Sequence, residues 1–199
     1  MTRNRSVCVA GLFAAATVFD VAGLVAQSSS TTVTSRPPGA RSTDARTLER
    51  GKYLATIGAC NDCHSPKMDA QMTPDPRRPF SGRPQTTFAP SQAAGEIHAS
   101  LDLTAWSGPW GVSYGANLTP DPETGIGRRY TEASFLNTLR TGKKPEGEDL
   151  LPPMPWALYR AMSDDDIKAL YAYLRTLPPI KNNVRSAAPP PKQAAPGRK

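Results

Sequence analysis

Cys60-Asn61-Asp62-Cys63-His64 is the stretch from which the rest of the chain can be read. It has the form C-x-x-C-H, the attachment signature for c-type haem. Two thiols on one turn of chain can bond the two vinyl groups of one porphyrin. The next residue then offers an imidazole beneath the iron as the proximal axial ligand. A haem is large, flat and mostly apolar, so a small domain that carries one must fold around it. One side chain elsewhere must close the sixth coordination position. A bare C-x-x-C has two other readings, a redox dithiol and half of a zinc site. A structural zinc site takes four soft ligands, and the only cysteines and histidines are Cys8, Cys60, Cys63, His64 and His98. No βαβ pattern, the setting of a thioredoxin-like dithiol, surrounds the motif.

The composition agrees with a small domain and loose ends. The chain has 199 residues, with 21 Pro, 15 Gly and 38% hydrophobic residues, so a cofactor supplying buried apolar surface would help to form a core. The formal net charge is +7, but no nucleic-acid motif or aromatic-basic platform accompanies it. The basic surface suits solubility and docking to an acidic redox partner.

Residues 1–26 read as an export signal. Arg3 and Arg5 form a basic start, Ser6 to Phe19 is nearly all apolar, and Leu24-Val25-Ala26 offers a cleavage site. An uncleaved membrane anchor is the alternative. Cleavage would leave Cys60 and Cys63 as the only cysteines, both used by a haem, as suits an oxidising compartment such as the periplasm. Residues 27–43 read as a linker, 44–181 as the folded domain and 182–199 as a disordered Pro/Ala/basic tail.

Within the domain, Ser42, Thr43 or Asp44 can cap a helix from Ala45 that carries Leu48, Tyr53, Leu54 and Ile57. Gly51 interrupts it, which points to close approach by another helix. Residues 65–115 are broken by prolines and show little periodicity, as expected of a long irregular wrap around a cofactor. Phe80 and Phe88 are candidate walls. A backbone carbonyl in this wrap should accept the Nδ1–H of His64. His98 reads as an ordinary loop residue. Trp106 and Trp110 read as core or cofactor-edge packing. The turn-rich run Asn117 to Gly127 reads either as two successive turns or as a polar loop donating to a haem propionate. Thr131 caps a helix with Phe135, Leu136 and Leu139 that ends at Gly142.

In Leu151-Pro152-Pro153-Met154-Pro155-Trp156, three prolines surround one methionine. A thioether is a weak neutral ligand, and proline lowers the entropy cost of placing it. Met154 is therefore the candidate distal ligand, with Met162 its main competitor. Ser163-Asp164-Asp165-Asp166 caps a helix with Ile167, Leu170, Tyr171 and Leu174 at i, i+3, i+4 and i+7. Its apolar face is the natural partner for the surface near Gly51.

These elements in this order resemble class I c-type cytochromes. Arg50-Gly51-Lys52-Tyr53-Leu54-Ala55, Asn117-Leu118-Thr119-Pro120-Asp121 with Thr124-Gly125-Ile126-Gly127, Pro153-Met154-Pro155-Trp156 and Tyr173-Leu174-Arg175-Thr176-Leu177-Pro178-Pro179 are similar to segments of the cytochrome c subunits of membrane-bound dehydrogenases. The resemblance covers about residues 45–184. It implies an all-α monohaem fold with His64 and Met154 as axial ligands, Asn117 near a propionate, and Gly51 crossing the last helix. It also implies one covalent haem c and no enzymatic activity of the chain's own. The chain would be a one-electron carrier between a dehydrogenase for an alcohol, aldehyde or sugar acid and a quinone, an oxidase or another cytochrome. The best-known such subunits hold three tandem haem domains, whereas one C-x-x-C-H stands here. Arg128-Arg129-Tyr130 also replaces the family's usual aromatic after Gly127. Two rival readings keep the haem but change the use: an enzyme with a displaceable distal ligand, peroxidase-like or thiosulfate-oxidising, and a gas or redox sensor.

Overall fold

A computed structural model describes residues 45–90, 95–185 and 187. In chain order the elements are α1 (Ala45–Ile57), α2 (Cys60–His64), β1 (His98–Ala99), β2 (Ala105–Gly108), β3 (Gly111–Tyr114), α3 (Ile126–Arg129), α4 (Glu132–Thr141), α5 (Trp156–Tyr159) and α6 (Asp164–Leu174). The export signal, the linker and the tail beyond residue 187 lie outside the described residues. No helix among the described residues is long and apolar enough to cross a membrane.

Helices α1 and α6 meet at Gly51. A Cβ there would stand 2.0 Å from the Ala169 carbonyl oxygen and 2.7 Å from the Tyr173 Cβ, so only hydrogen fits. The close approach expected at Gly51 is present, and α6 makes it. The buried face of α1 is Gly51, Leu54 and Ala55, at i, i+3 and i+4. Ile57, expected on that face, is 61% exposed. Arg50 reaches across the crossing to Asp166 with two hydrogen bonds, 2.7 and 3.1 Å. Helix α6 begins as its sequence implies, the Ser163 hydroxyl accepting from the Asp166 amide. It then buries Ile167, Leu170 and Leu174. These join Ala55, Phe80, Ile126, Phe135 and Leu139 in one apolar core. Helix α4 starts on a capping box between Thr131 and Ser134 and stops at Gly142, which takes the left-handed φ of 73°.

The all-α expectation does not hold. Strands β1, β2 and β3 form a three-stranded antiparallel sheet, so the fold is mixed α/β. The register pairs Trp106 with Ser113 and Gly108 with Gly111, leaving Pro109-Trp110 as the turn. Strands of two and four residues are too short to display a period of two. All four residues of β2 are buried, so no polar face marks it as a strand. The sheet therefore hides inside a segment whose sequence reads as irregular.

The same segment is tied down by buried polar groups as well as by apolar ones. The Ser65 hydroxyl, fully buried, accepts from the Phe80 amide at 2.7 Å. Arg83, 5% exposed, pairs with Asp102 at 2.8 Å and donates to the Thr104 hydroxyl. Burial pushes the Asp102 carboxyl up, but bonds from Ser100 and Thr104 and the Arg83 charge hold it below the usual range. The folded contacts also run past residue 181: Asn182 is 5% exposed and donates to the carbonyls of Ser81 and Arg83.

Candidate functional site

The motif helix α2 is one short turn, entered from Ala59 in the left-handed region at φ 52°. Its five residues would not hold a helix alone. Two backbone contacts and one side chain fix it. Gly82 donates to the His64 carbonyl at 2.7 Å. Gly115 lies so close that a Cβ would stand 2.0 Å from the Cys63 carbonyl oxygen. Lys67 wraps back and donates to the carbonyls of Asp62 and Ser65 at 2.5 and 2.8 Å, supplying positive charge where the helix ends.

His64 Nδ1 lies 2.8 Å from the Ala116 carbonyl oxygen. That bond makes Nδ1 the donor and leaves Nε2 with a free lone pair. The orienting carbonyl was expected between residues 65 and 115 and comes one residue later. Burial lowers the His64 pKa, with the Ala116 carbonyl opposing it in part, so the ring is neutral near pH 7.

Cys60 and Cys63 are both free thiols. Burial pushes Cys60 up to about 11 and also raises Cys63. Thiols so held lack the depressed pKa of a reactive dithiol. Among the described residues, no three histidine, cysteine or acidic side chains converge as a metal-binding group.

Cys60, Cys63, His64, Asn117 and Met154 all line one cavity of about 850 Å³. That volume lies in the range of cofactor pockets. Trp106, Ile126, Phe135, Leu139 and Leu170 are among the apolar groups that complete its wall. Met154 sits in the proline-bracketed turn, its amide donating to the Leu151 carbonyl at 3.2 Å. The sheet reaches this turn as well, since the Ser113 hydroxyl donates to the Pro152 carbonyl at 2.5 Å. Met162 packs against the core without lining the cavity. Phe80 is a core residue packed edge-on to Tyr173, and Phe88 lies against Arg83; neither lines the cavity. Trp106 lines it and Trp110 does not; the latter covers Gly108 and donates to Ser113. His98 pairs with Ser107 in the sheet, away from the cavity wall.

Asn117 is present at the wall but is not free to donate. Its two N–H groups go to the Thr124 hydroxyl and the Ile180 carbonyl, at 3.1 and 2.8 Å. Its oxygen accepts from the Thr119 amide and hydroxyl. An amide has two donors, and both are spent on the fold. The Asn117 run thus reads as structural turns that dock the chain after α6. Tyr159 is the residue that sequence reasoning missed. Its hydroxyl donates to the Gly58 carbonyl, its ring lines the cavity, and burial pushes its pKa up to about 12. The visible signal was an aromatic five residues beyond Met154.

The donors and the cavity fit a covalently held haem: two adjacent thiols, a neutral imidazole with Nε2 free, and a thioether on the wall of the same apolar space. No family model matches the chain. It is 34% identical over 145 residues to a subunit of the nicotinate dehydrogenase of Pseudomonas putida, covering 73% of this chain and 10% of that protein. It is 36% identical over 126 residues to the gluconate 2-dehydrogenase cytochrome c subunit of Pantoea cypripedii, 63% of this chain and 22% of that one. With the cytochrome c subunit of the quinone alcohol dehydrogenase of Gluconobacter oxydans the identity is 32% over 134 residues, 67% and 22% of the two chains. The aligned region therefore spans between a tenth and about a fifth of the length of these relatives.

Proposed function

The chain is a homologue of the cytochrome c subunits of gluconate and alcohol dehydrogenases, and from that premise we propose that it carries one covalent haem c and serves as a one-electron carrier. Haem, when bound, supplies a Fe(III)/Fe(II) couple that takes up and releases one electron. The residues divide the rest of the work. Cys60 and Cys63 would hold the cofactor through thioether bonds. His64, held by the Ala116 carbonyl, would offer Nε2 to the iron. Met154 would offer its thioether sulfur to the iron. Ile126, Leu139 and Leu170 keep water from the cavity. With both His64 and Met154 holding the iron, rearrangement would be limited and no position would be open for a substrate.

The donor in this reading is a dehydrogenase, and the acceptor is a quinone, an oxidase or another cytochrome. The site of action is the periplasm, reached through the N-terminal export stretch. The observation that carries the reading is that Cys60, Cys63, His64 and Met154 line a single cavity. The test is expression with a c-type haem maturation system. A haem that stays with the chain through denaturation, in a one-to-one ratio, is expected. Cys60→Ala should leave a single thioether, shifting the reduced α-band to the red. A chain that matures without haem would overturn the reading.

A further inference from the structure

Two cations on the cavity wall are left over once every carboxylate there is paired. Four carboxylates line it, and each already has a cation. Glu146 takes two hydrogen bonds from Arg129, at 2.9 and 2.8 Å. Glu148 pairs with Lys144 at 2.7 Å. Asp149 and Glu123 are matched from outside the wall, by Lys143 at 2.6 Å and Lys181 at 2.5 Å. The lining cations are Arg128, Arg129, Lys144 and Arg185. Arg129 and Lys144 are spent on Glu146 and Glu148. Arg128 and Arg185 remain, and neither meets a carboxylate among the described residues.

Both are held at the wall by ordered chain. Arg128 lies in α3, whose start is packed under the Thr119 carbonyl. Arg185 follows Asn182, which is buried and bonded to Ser81 and Arg83. That anchor brings Asn183, Val184 and Arg185 to the cavity. The site is thus an apolar space whose rim carries two exposed guanidinium groups with no carboxylate partner among the described residues. Its chemical complement is a flat apolar molecule bearing two carboxylates.

Resting on the haem reading above, we propose that Arg128 and Arg185 hold the two propionates of the haem, the role that Asn117 cannot fill because its donors are spent. Guanidinium groups suit it, since they pair with carboxylates through two parallel bonds. Arg185 belongs to the stretch that follows α6, so this stretch is part of the cofactor site. The two positive charges also favour the reduced iron.

The test uses the mature haem-containing protein with Arg128→Gln, Arg185→Gln, the double variant, and the corresponding Arg→Lys changes. The Fe(III)/Fe(II) ratio is read at a fixed ambient potential against redox indicators. Each Gln variant should shift the ratio about threefold towards Fe(III), and the double variant about tenfold. The Lys variants should recover most of the shift. The effect should survive about 1 M salt, where the screening length of about 3 Å removes only distant charges. Unchanged ratios in all Gln variants would overturn the proposal. So would a shift that vanishes in salt, or an unchanged ratio with slower reduction by an acidic donor protein, which would make both arginines partner-facing. Failure of the haem reading itself looks different: the wild-type chain would then show no haem absorbance after denaturation.

Discussion

The α1–α6 crossing and the segment from Ser65 to Thr119 hold their shapes by opposite means. The largest fully buried side chains of α6 are Ile167 and Leu174, whereas those of the segment are Ser65, Ser81, Thr104, Ser107 and Thr119. The crossing is an apolar seam closed by a glycine. The segment buries several hydroxyls, of which Ser65 and Thr119 bond to backbone distant in sequence, at Phe80 and Ile180. Apolar burial supplies most of the stability, and the polar network supplies the position of the site. The network reaches His64 through Ala116 and the Met154 turn through Ser113.

Substitutions on the two sides should separate these roles. Ile167→Ala, at a site with 0% exposure, should have the largest effect on stability, a loss of about 4 kcal/mol. Denaturant unfolding measures it, and the optical spectrum of the folded protein should not change. If the spectrum changes as much as the stability, the two regions are not separable.

Ser65→Ala should cost less, about 2 kcal/mol, by leaving the buried Phe80 amide without its acceptor. Its signature should be local. Amide exchange should accelerate at Phe80 and Gly82 while α1 and α6 keep their protection. Uniform acceleration would mean that the segment has no separate network.

The smallest effect is expected at the exposed edge of the crossing. The Arg50 hydrogen bonds hold the Asp166 carboxyl below the usual carboxylate range, against burial. A carboxyl whose folded pKa is depressed adds stability above its unfolded value, about 4. That contribution is lost as pH falls through the folded value. Arg50→Gln should therefore reduce stability at neutral pH and flatten its decline in acid, with the difference reduced by salt. Melting curves from pH 7 to pH 3 check this, and an unchanged acid limb would contradict the pairing.

The crossing was legible in the sequence because its signals are local and periodic. Ser163 before three aspartates, apolar residues at helical spacing, and one glycine inside a helix are all read within a few residues. The C-x-x-C-H motif and the methionine turn stand out in the sequence for the same reason: they occupy five and six consecutive residues. The sheet was not, because two of its strands have four residues and the third has two. Asn117 shows the limit most clearly. Its residue type and place suggested a ligand contact, but its partners include the Ile180 carbonyl, 63 residues away. No local pattern reports that such a donor is already used. The same holds for Tyr159, whose hydroxyl partner, Gly58, lies 101 residues earlier.

The central claim is that the segment network and the proline-bracketed turn bring His64 and Met154 to one cofactor. The far-red absorption of the oxidised protein tests it most directly, because a weak charge-transfer band there requires a methionine sulfur on the iron. Met154→Ala should abolish the band, and Met162→Ala should leave it intact. Loss of the band in Met162→Ala, with retention in Met154→Ala, would contradict the account.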